Sequence, residues 1–371
     1  MGNYLCKQIN TIMKTGYTIL ATLLLFATPL TAETKTNTTM NTTTTTPKWD
    51  KTFPKSDKVD HRKVEFKNRF DITLVADMYV PKGASGKLPA IAVSGPFGAV
   101  KEQASGLYAQ RLAEMGYITI AFDPSYTGES SGTPRYSSSM DINTEDFCAA
   151  VDFLSCQPQT DPGRIGICGI CGWGGIALNA AALDPRIKAT LSVTLYNLTR
   201  VTQQGYFDSQ DEDARFRLKQ QLARQRTEEF RDGQIKPTGG LPDAAPQDAP
   251  DFLKQYVAYY KSKTRGYHPR SLNSNMGWNI TTTLTRLNQN LWIAASEIRT
   301  PVLIIHGEKA HSRYFGEEAY KAVTSGKYGA NKRLLIVPGA THCDLYDGGE
   351  GNFIPWQDIE SFYKDNLRAD K

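Results

Sequence analysis

The chain has 371 residues, of which 40% are apolar and 22% charged, the composition of a folded globular protein with one large domain or two ordinary ones. Its formal net charge is only +5, and the basic residues are scattered without a run or a stripe. These features exclude a disordered chain and argue against a nucleic-acid partner.

The N-terminus carries the pattern of an export signal. Lys7 and Lys14 give it a positive start, the uncharged run 17–30 is largely apolar, and Ala32 offers a small residue for cleavage. We therefore predict a signal peptide over residues 1–32 and an exported protein, periplasmic or secreted. An uncleaved anchor is the alternative. Because the apolar run is short for a transmembrane helix, we expect no membrane span in the mature chain.

Two regions follow the predicted signal. Residues 33–58 begin with a stretch rich in Thr, Asn and Lys, which cannot bury apolar area and therefore predicts a flexible linker. Residues 59–371 alternate between strand and helix patterns. In chain order, the predicted strands are 62–68, 71–80, 88–93, 117–122, 164–170, 187–195, 301–306 and 333–337. The predicted helices are 101–115, 144–156, 172–183, 212–231, 314–323 and 355–366.

Apolar strands that alternate with helices predict an α/β fold, with a mostly parallel central sheet and helices on both faces. The interval from about 198 to 298 breaks this alternation with a charged helix, a Pro-rich loop and aromatic segments. We predict that this interval is a helical cap inserted over the carboxyl edge of the sheet.

The sharpest chemical signal is segment 164–175, which reads as an apolar strand, one reactive residue, glycines and a helix. This is the order of a nucleophile elbow, a strained turn that holds a nucleophile at the end of a strand. Cys171 stands at the nucleophile position, and the helix start behind it is expected to favour its thiolate. Trp173 departs from the pattern, because a small residue is expected there. The alternative is a glycine-rich turn around a buried structural thiol.

Cys168 and Cys171 also have the spacing of a redox or metal pair. Cys168 falls inside a predicted strand and would point into the core, and no second ligand pair follows at a suitable spacing. Five cysteines remain after the predicted signal, so at least one thiol is expected to stay free. No phosphate-binding glycine loop is present, and we predict neither a cofactor nor a metal.

His342 lies a few residues after the last predicted strand, where a general base for an elbow nucleophile is expected. The acid that would orient it normally follows the preceding strand, but Ala310 occupies the usual position. Glu308 is the nearest carboxylate and is our candidate. Asn197 and Asp344 remain alternatives, and a Cys–His pair depends less on an acid than a Ser–His pair does.

The loop after the third predicted strand is the expected source of an oxyanion-hole donor. Its sequence is Ser94-Gly95-Pro96-Phe97-Gly98. Pro96 has no N–H, so we predict that the Phe97 amide acts together with the Gly172 amide. A plain Gly-Pro turn is the alternative.

With these segments together, the chain resembles the dienelactone hydrolase-like branch of the α/β-hydrolase superfamily. The resemblance rests on Gly169-Ile170-Cys171-Gly172, the segment Phe122-Asp123-Pro124-Ser125-Tyr126, and Gly339-Ala340-Thr341-His342. It implies an α/β-hydrolase fold and hydrolysis of esters, lactones or thioesters. It also implies that Asp123 and Tyr126 lie at the rim of the site; the alternative is a buried turn in which Asp123 caps backbone amides. The missing Asp at position 310 departs from dienelactone hydrolase itself.

The sequence therefore predicts a hydrolase for a small-molecule acyl substrate, with Cys171 as nucleophile and His342 as base. Tyr267 and Trp278 of the predicted cap indicate a partly apolar substrate. Two alternatives stay open: an acyltransferase, in which a second acceptor replaces water, and a non-catalytic small-molecule binding protein on the same fold. The oligomeric state is not predicted.

Overall fold

The computed structural model describes residues 49–368, and the predicted signal peptide lies outside them. Within this range one sheet has the strand order β1-β2-β4-β3-β5-β6-β7-β8. The strands are β1 (Val59–Lys67), β2 (Thr73–Pro81), β3 (Leu88–Ser94), β4 (Ile118–Phe122), β5 (Thr160–Ile170), β6 (Ile187–Val193), β7 (Val302–Gly307) and β8 (Lys332–Val337). The β1–β2 and β2–β4 pairs are antiparallel, and the other neighbouring pairs are parallel.

Ten α-helices lie in the described range. They are α1 (Ala104–Glu114), α2 (Met140–Ser155), α3 (Gly172–Leu183), α4 (Leu198–Gln204), α5 (Glu212–Asp232), α6 (Asp251–Tyr260), α7 (Leu284–Leu287), α8 (Arg313–Thr324), α9 (Asp344–Asp347) and α10 (Trp356–Asn366). Every residue of β4 and β7 is buried, which requires cover on both faces of the sheet. The predicted α/β fold with a mostly parallel central sheet is confirmed.

Residues 49–58, which the sequence assigned to the linker, pack onto the sheet domain. Phe53 is buried, and the Trp49 indole N–H donates to its carbonyl oxygen at 2.6 Å. The Lys51 ammonium lies 2.8 Å from the buried Asp77 carboxylate of β2. The packed domain therefore includes Trp49, ten residues before the predicted boundary. Two aromatic residues close to a buried ion pair outweigh the polar composition of the stretch before them.

The predicted cap interval lies between β6 and β7 and contains helices α4 to α7. α5 has one buried residue, Leu222, and is exposed along most of its length. α6, which was not predicted, buries Val257, Tyr259 and Tyr260 against the domain. Over residues 49–368, no helix combines the length and the hydropathy that crossing a bilayer requires.

Candidate active site

Five adjacent parallel strands bring their carboxyl-terminal residues to one edge of the sheet. Phe97 follows β3, Cys171 follows β5, Thr194 follows β6, Ser312 follows β7, and His342 follows β8. Because β3, β5, β6, β7 and β8 are consecutive in the sheet, residues far apart in sequence converge there. The carboxyl ends of parallel strands are the usual location of sites in α/β proteins.

Cys171 occupies a strained turn between β5 and α3. Its backbone has φ 59° and ψ −128°, a region that non-glycine residues rarely adopt. The turn is held by hydrogen bonds from the Cys171 N–H to Val193 O at 2.9 Å and from the Tyr196 N–H to Cys171 O at 3.1 Å. A Cβ on Gly169 would collide with the Trp173 carbonyl oxygen, so the neighbouring glycine is required by space.

The large side chain of Trp173 turns away from the elbow into the core. It makes edge contacts with Phe122 and Phe147, whose ring centroids lie 6.1 and 5.8 Å away. The close approach to the next strand falls on Gly175 instead, where a Cβ would collide with the Tyr196 carbonyl oxygen. The turn therefore accommodates tryptophan at a position where a small residue was expected.

Cys171 is 7% exposed and lines a cavity. Burial raises the pKa of its thiol above the usual value, although the Tyr346 hydroxyl and the Phe97 and Gly172 amides act in the opposite direction. The thiol is therefore neutral at rest, contrary to the thiolate that the helix start led us to expect. The two residues predicted as oxyanion donors lie side by side, since a Cβ on Gly172 would be 2.9 Å from the Phe97 Cβ, and Phe97 lines the cavity together with Cys171.

The His342 imidazole is fully buried and hydrogen-bonded at both nitrogens. Nε2 lies 2.8 Å from the Tyr346 hydroxyl, and Nδ1 lies 2.9 Å from Thr194 Oγ1 and 2.6 Å from Ser312 Oγ. Burial, followed by the neighbouring His311 and His306, holds the pKa of His342 well below its usual range. The imidazole is thus neutral, and hydroxyls occupy the place of an orienting carboxylate.

The three residues considered for orienting His342 all have other partners. Glu308 accepts a hydrogen bond from the Gly339 amide at 2.8 Å and is exposed. Asp344 accepts from the Thr341 amide at 2.9 Å and from its hydroxyl at 2.7 Å. The Asn197 side chain caps α4 by accepting from the Arg200 amide at 3.0 Å. The structure therefore does not bring Glu308, our first candidate, or either alternative to His342.

Asp123 lies in a buried ionic cluster and not at the rim of the cavity. We name this group the Lys101 cluster; its members are Lys101, Glu102, Asp123, Glu129 and Arg270. The Lys101 ammonium lies 2.7 Å from Glu102 and 3.0 Å from Asp123, and Arg270 of the cap lies 2.6 Å from Glu102. The Asp123 carboxylate also accepts from the Lys101 and Glu129 amides at 2.8 and 2.9 Å. Its position therefore corrects the predicted contact with substrate.

The other predicted substrate residues lie outside the cavity lining. Tyr126 has φ 74° and packs on a small cluster around Ile72 and Leu74. Tyr267 belongs to the cap turn and is partly exposed. Trp278 contacts a lining residue: its ring stacks on Phe97 with centroids 4.0 Å apart and an interplanar angle of 15°. It therefore supports the loop that carries Phe97.

The cavity above Cys171 has a volume of about 240 Å³. It is lined by Phe97, Cys171, Tyr196, Leu198, Val201, Tyr206, Leu241, Tyr256, Tyr260, Asn273 and Tyr346. This set contains six aromatic rings and no ionisable carboxylate or basic group. Asn273 of the cap also donates to Phe97 O at 2.8 Å, so the cap holds the loop that carries Phe97 and contributes to the lining around Cys171.

A second imidazole, His311, lies beside the site and was not assigned a role from the sequence. Its Nε2 hydrogen-bonds to the Tyr196 hydroxyl, which also lies 2.9 Å from the Tyr256 hydroxyl and 3.3 Å from that of Tyr206. The ring centroid of His311 is 5.2 Å from that of His342. These hydroxyls form a polar patch on an otherwise apolar wall.

Cys168, the other half of the Cys-x-x-Cys pair, is fully buried in β5. Burial raises the pKa of its thiol, and all five cysteines of the described range are free. Within residues 49–368, no group of three or more His, Cys, Asp or Glu residues has the geometry to hold a metal ion.

Because four histidines have lowered pKa values, we expect the free energy of unfolding to decrease in mild acid. Burial is the main cause that lowers their pKa values: to about 4 for His268, about 3 for His306, about 4 for His311, and well below the usual range for His342. The unfolded chain binds these protons near pH 6.5 and the folded chain only at lower pH. Stability is therefore complete above pH 6.5 and falls as the pH decreases towards 4.

Within this window each such histidine lowers the free energy of unfolding by about 1.4 kcal/mol for each pH unit of acidification. The raised pKa values of Glu102 and Asp146, which follow from burial, offset part of the loss. We expect the urea concentration at the midpoint of unfolding to fall steeply between pH 6.5 and 4.5. His268→Gln should reduce the pH dependence of the free energy of unfolding by about 1.4 kcal/mol per pH unit, the contribution of one bound proton. A midpoint that is constant over this range would contradict the assignment.

A family model described as X-Pro dipeptidyl-peptidase (S15 family) matches residues 71–344. The uncharacterized protein PA2218 of Pseudomonas aeruginosa is 52% identical over 327 residues, which cover 87% of this chain and 85% of that protein. Its crystal structure superposes with a TM-score of 0.82 at 51% identity and covers 87% of this chain and 98% of that chain.

Two further relatives differ in how much of the chain they match. The uncharacterized protein YcjY of Escherichia coli is 34% identical over 300 residues, 78% of this chain and 93% of its own length. The thiohydrolase aneE of Aspergillus aculeatus is 35% identical over 133 residues, 36% of this chain and 41% of its own length.

Proposed function

The chain belongs to the X-Pro dipeptidyl-peptidase (S15) family of α/β hydrolases, and from that premise we propose that it hydrolyses a compact, uncharged thioester or ester. In this proposal Cys171 is the nucleophile and His342 the general base. One observation carries it: Cys171 lines a cavity together with Phe97 and Tyr346, and the Tyr346 hydroxyl lies 2.8 Å from the His342 imidazole.

The reaction would proceed through an acyl-enzyme. The Cys171 sulfur attacks the carbonyl carbon of the substrate while its proton passes to His342. The amides of Phe97 and Gly172 belong to the loop and the turn that border the Cys171 sulfur. A carbonyl carbon bonded to that sulfur would place its oxygen within their reach, where they stabilise the negative charge that develops. Water then releases the acyl group by the same steps in reverse.

The cavity limits the size and charge of the acyl group. Its volume is about 240 Å³, and a cavity of about 150 Å³ is enough to hold benzene. A single ring with a short chain therefore fits, whereas a long acyl chain does not. A buried charge without a partner is costly, so the lining favours an uncharged acyl group.

The same lining argues against release of X-Pro dipeptides. Such a substrate carries a free ammonium group, which would need an acidic partner inside the cavity. None of the eleven lining residues is acidic. The resemblance to the dienelactone hydrolase-like branch instead supports acyl ester, lactone or thioester chemistry.

We place thioesters first. A neutral thiol attacks a thioester by exchange of one C–S bond for another, which demands less from a base that lacks a carboxylate partner. The partial similarity to a protein named thiohydrolase agrees with this order. Acyl transfer is the second candidate. It is favoured by the 7% exposure of Cys171, because an acyl-enzyme that is shielded from water persists long enough to react with a second acceptor.

A trapping experiment tests the proposal. Purified protein is treated with a phenylacetyl thioester and quenched early, and the modified peptide is mapped by mass spectrometry. We expect acylation of Cys171 in the wild type and in Cys168→Ala, the matched control on the same strand. Turnover with added alcohols or thiols separates transfer from hydrolysis. An unmodified Cys171 together with saturable ligand binding would instead support the non-catalytic binding protein.

A second comparison tests the substrate class. The phenylacetyl thioester is compared with its 4-carboxyphenylacetyl analogue, which differs by one negative charge. The charged analogue should react at least about 10-fold more slowly, since one buried unpaired charge costs more than 1.4 kcal/mol. Equal rates for the two would contradict the assignment of an uncharged substrate.

A further inference from the structure

The geometry points to Tyr346 as the residue that carries the proton between Cys171 and His342. We propose a three-member chain of thiol, phenol and imidazole in place of the direct contact between nucleophile and base that the sequence predicts. This inference rests on the proposed function, because it assigns a step of that reaction to a residue that lines the cavity.

Tyr346 lies between the two groups that must exchange a proton. Its hydroxyl is 2.8 Å from His342 Nε2, and its side chain lines the same cavity as Cys171. The Tyr346 hydroxyl also acts to lower the pKa of the Cys171 thiol, which burial raises. Among the described residues 49–368, Nε2 has the Tyr346 hydroxyl as its hydrogen-bond partner, and no hydrogen bond joins the imidazole directly to the thiol. Tyr346 is fully buried in α9, and the neighbouring Leu345 carbonyl is fixed by the Tyr108 hydroxyl at 2.8 Å.

The partners of His342 set the direction of transfer. Nδ1 lies between the hydroxyls of Thr194 and Ser312, and either hydroxyl oxygen can accept a hydrogen bond from an Nδ1–H group. With the proton on Nδ1, the lone pair of Nε2 faces the Tyr346 hydroxyl, which can then donate. The nitrogen that acts as base is thus aimed at the phenol and not at the sulfur.

The step balances without a charged tyrosine at rest. As the C–S bond forms, the thiol proton moves to the Tyr346 oxygen and the phenol proton moves to His342 Nε2. The carbonyl electron pair moves to oxygen, which the amides of Phe97 and Gly172 receive. The products are a neutral phenol and an imidazolium. Burial and the nearby Cys171 keep the pKa of Tyr346 well above its usual range, so a resting tyrosinate is excluded.

On collapse of the tetrahedral intermediate, the path runs backwards. The imidazolium Nε2–H is returned to the phenol oxygen, and the phenol proton goes to the departing sulfur or oxygen. The same chain takes a proton from water in the second half of the reaction. Microscopic reversibility therefore gives Tyr346 two roles, one in each direction.

Tyr346→Phe is the direct test, with Tyr259→Phe as the matched control. Tyr259 is a buried tyrosine of α6 whose ring centroid lies 5.1 Å from that of Tyr346, but it does not line the cavity, and among the described residues it has no hydrogen bond to His342. For Tyr346→Phe we expect a loss of about 100-fold in kcat for the thioester, the lower end of general acid–base effects, with KM changed less than about 3-fold. Tyr259→Phe should keep kcat within about 3-fold.

Reaction of the Cys171 thiol with iodoacetamide across pH 5–10 supplies a readout that does not need turnover. In the wild type the relay accelerates alkylation near neutral pH. In Tyr346→Phe this assistance is lost, and the profile follows simple thiol ionisation. Incorporation of 3,5-difluorotyrosine at position 346, which keeps the shape but acidifies the phenol, should move the pH–kcat profile; this variant also serves if Tyr346→Phe does not fold.

The outcomes separate the relay from the proposed function. If Tyr346→Phe retains wild-type kcat and alkylation, the relay is overturned while thioester hydrolysis by Cys171 stands. If both phenylalanine variants change only KM, Tyr346 is a packing residue. If the wild type has no turnover that depends on Cys171, the proposed function fails, and the alkylation profile still decides whether phenol and imidazole assist the thiol.

Discussion

Replacement of Cys171 by alanine is expected to lower kcat/KM for the best thioester by about 10⁴-fold or more, the scale seen when a covalent nucleophile is removed. The backbone turn already provides the oxyanion amides, so the variant retains the cavity and its affinity. The measurement is initial rates with a phenylacetyl thioester beside a ligand-binding titration, which should agree within about 3-fold between variant and wild type.

Two companion variants sharpen this result. Cys168→Ala, three residues earlier, removes a fully buried thiol and should affect stability but not the chemical step. Cys171→Ser should lose at least about 100-fold, because a hydroxyl depends on a strong base and His342 has two hydroxyls at Nδ1 where a carboxylate would raise its basicity. A serine variant as active as the wild type would refute the neutral relay as well as the thiol mechanism.

The elbow and the succession of strands and helices along the chain could be predicted because both are marked by local patterns. The apolar run that ends at Ile170 and the glycines around Cys171 define the turn within a dozen residues. His342 was predicted from its place after the last strand, and the observed strand order brings β5 and β8 to the same edge. Periodicity and loop position carry this information without any knowledge of distant contacts.

The partners of His342 could not be predicted because they depend on side-chain packing across strands. Thr194 and Ser312 are ordinary residues after β6 and β7, and nothing in their local sequence marks them as imidazole partners. The search for a carboxylate selected Glu308, whose exposed side chain caps the Gly339 amide. Tyr346 had a local signal: it follows His342 by four residues, the spacing that brings two side chains together on a helical turn.

The predicted substrate-binding residues do not line the cavity, for a related reason. Asp123 was carried over from a family resemblance, but the sequence gives no indication that Lys101 is buried beside it. The cap residues that line the cavity with Cys171, such as Tyr256, lie on α6, a helix that was not predicted. A cap has its own packing, so the pattern of the central sheet does not extend to it.

The Lys101 cluster gives the largest expected effect on stability. The Lys101 ammonium is fully buried, as are Glu102 and Asp123, and three carboxylates surround it. Burial would lower the pKa of Lys101, but the charges of Asp123 and Glu102 outweigh it and raise that pKa. Burial alone would also raise the pKa of Glu129, yet its hydrogen bonds with Lys101 and Lys63 lower it to about 2. Lys101 and Glu129 are thus ionised at neutral pH, whereas burial and the charge of Asp123 raise the pKa of Glu102.

Lys101→Met is expected to lower the free energy of unfolding by about 3–5 kcal/mol, since removal of one partner leaves buried charges without compensation. Lys63→Met is the matched control: its ammonium pairs with the same Glu129 but is 50% exposed, so it should cost less than about 1 kcal/mol. Urea unfolding at pH 7 measures both.

Adding Asp123→Asn to Lys101→Met should recover part of the loss, because it removes one of the uncompensated charges. The cluster begins three residues after the oxyanion loop and is tied to the cap through Arg270 and Glu102. The variant should therefore lose kcat below its unfolding transition as well, as the Phe97 amide becomes less firmly held. Equal effects of Lys101→Met and Lys63→Met on the free energy of unfolding would show that the buried ion pairs of the cluster do not stabilise the fold. The cap would then be held in position by its aromatic contacts alone.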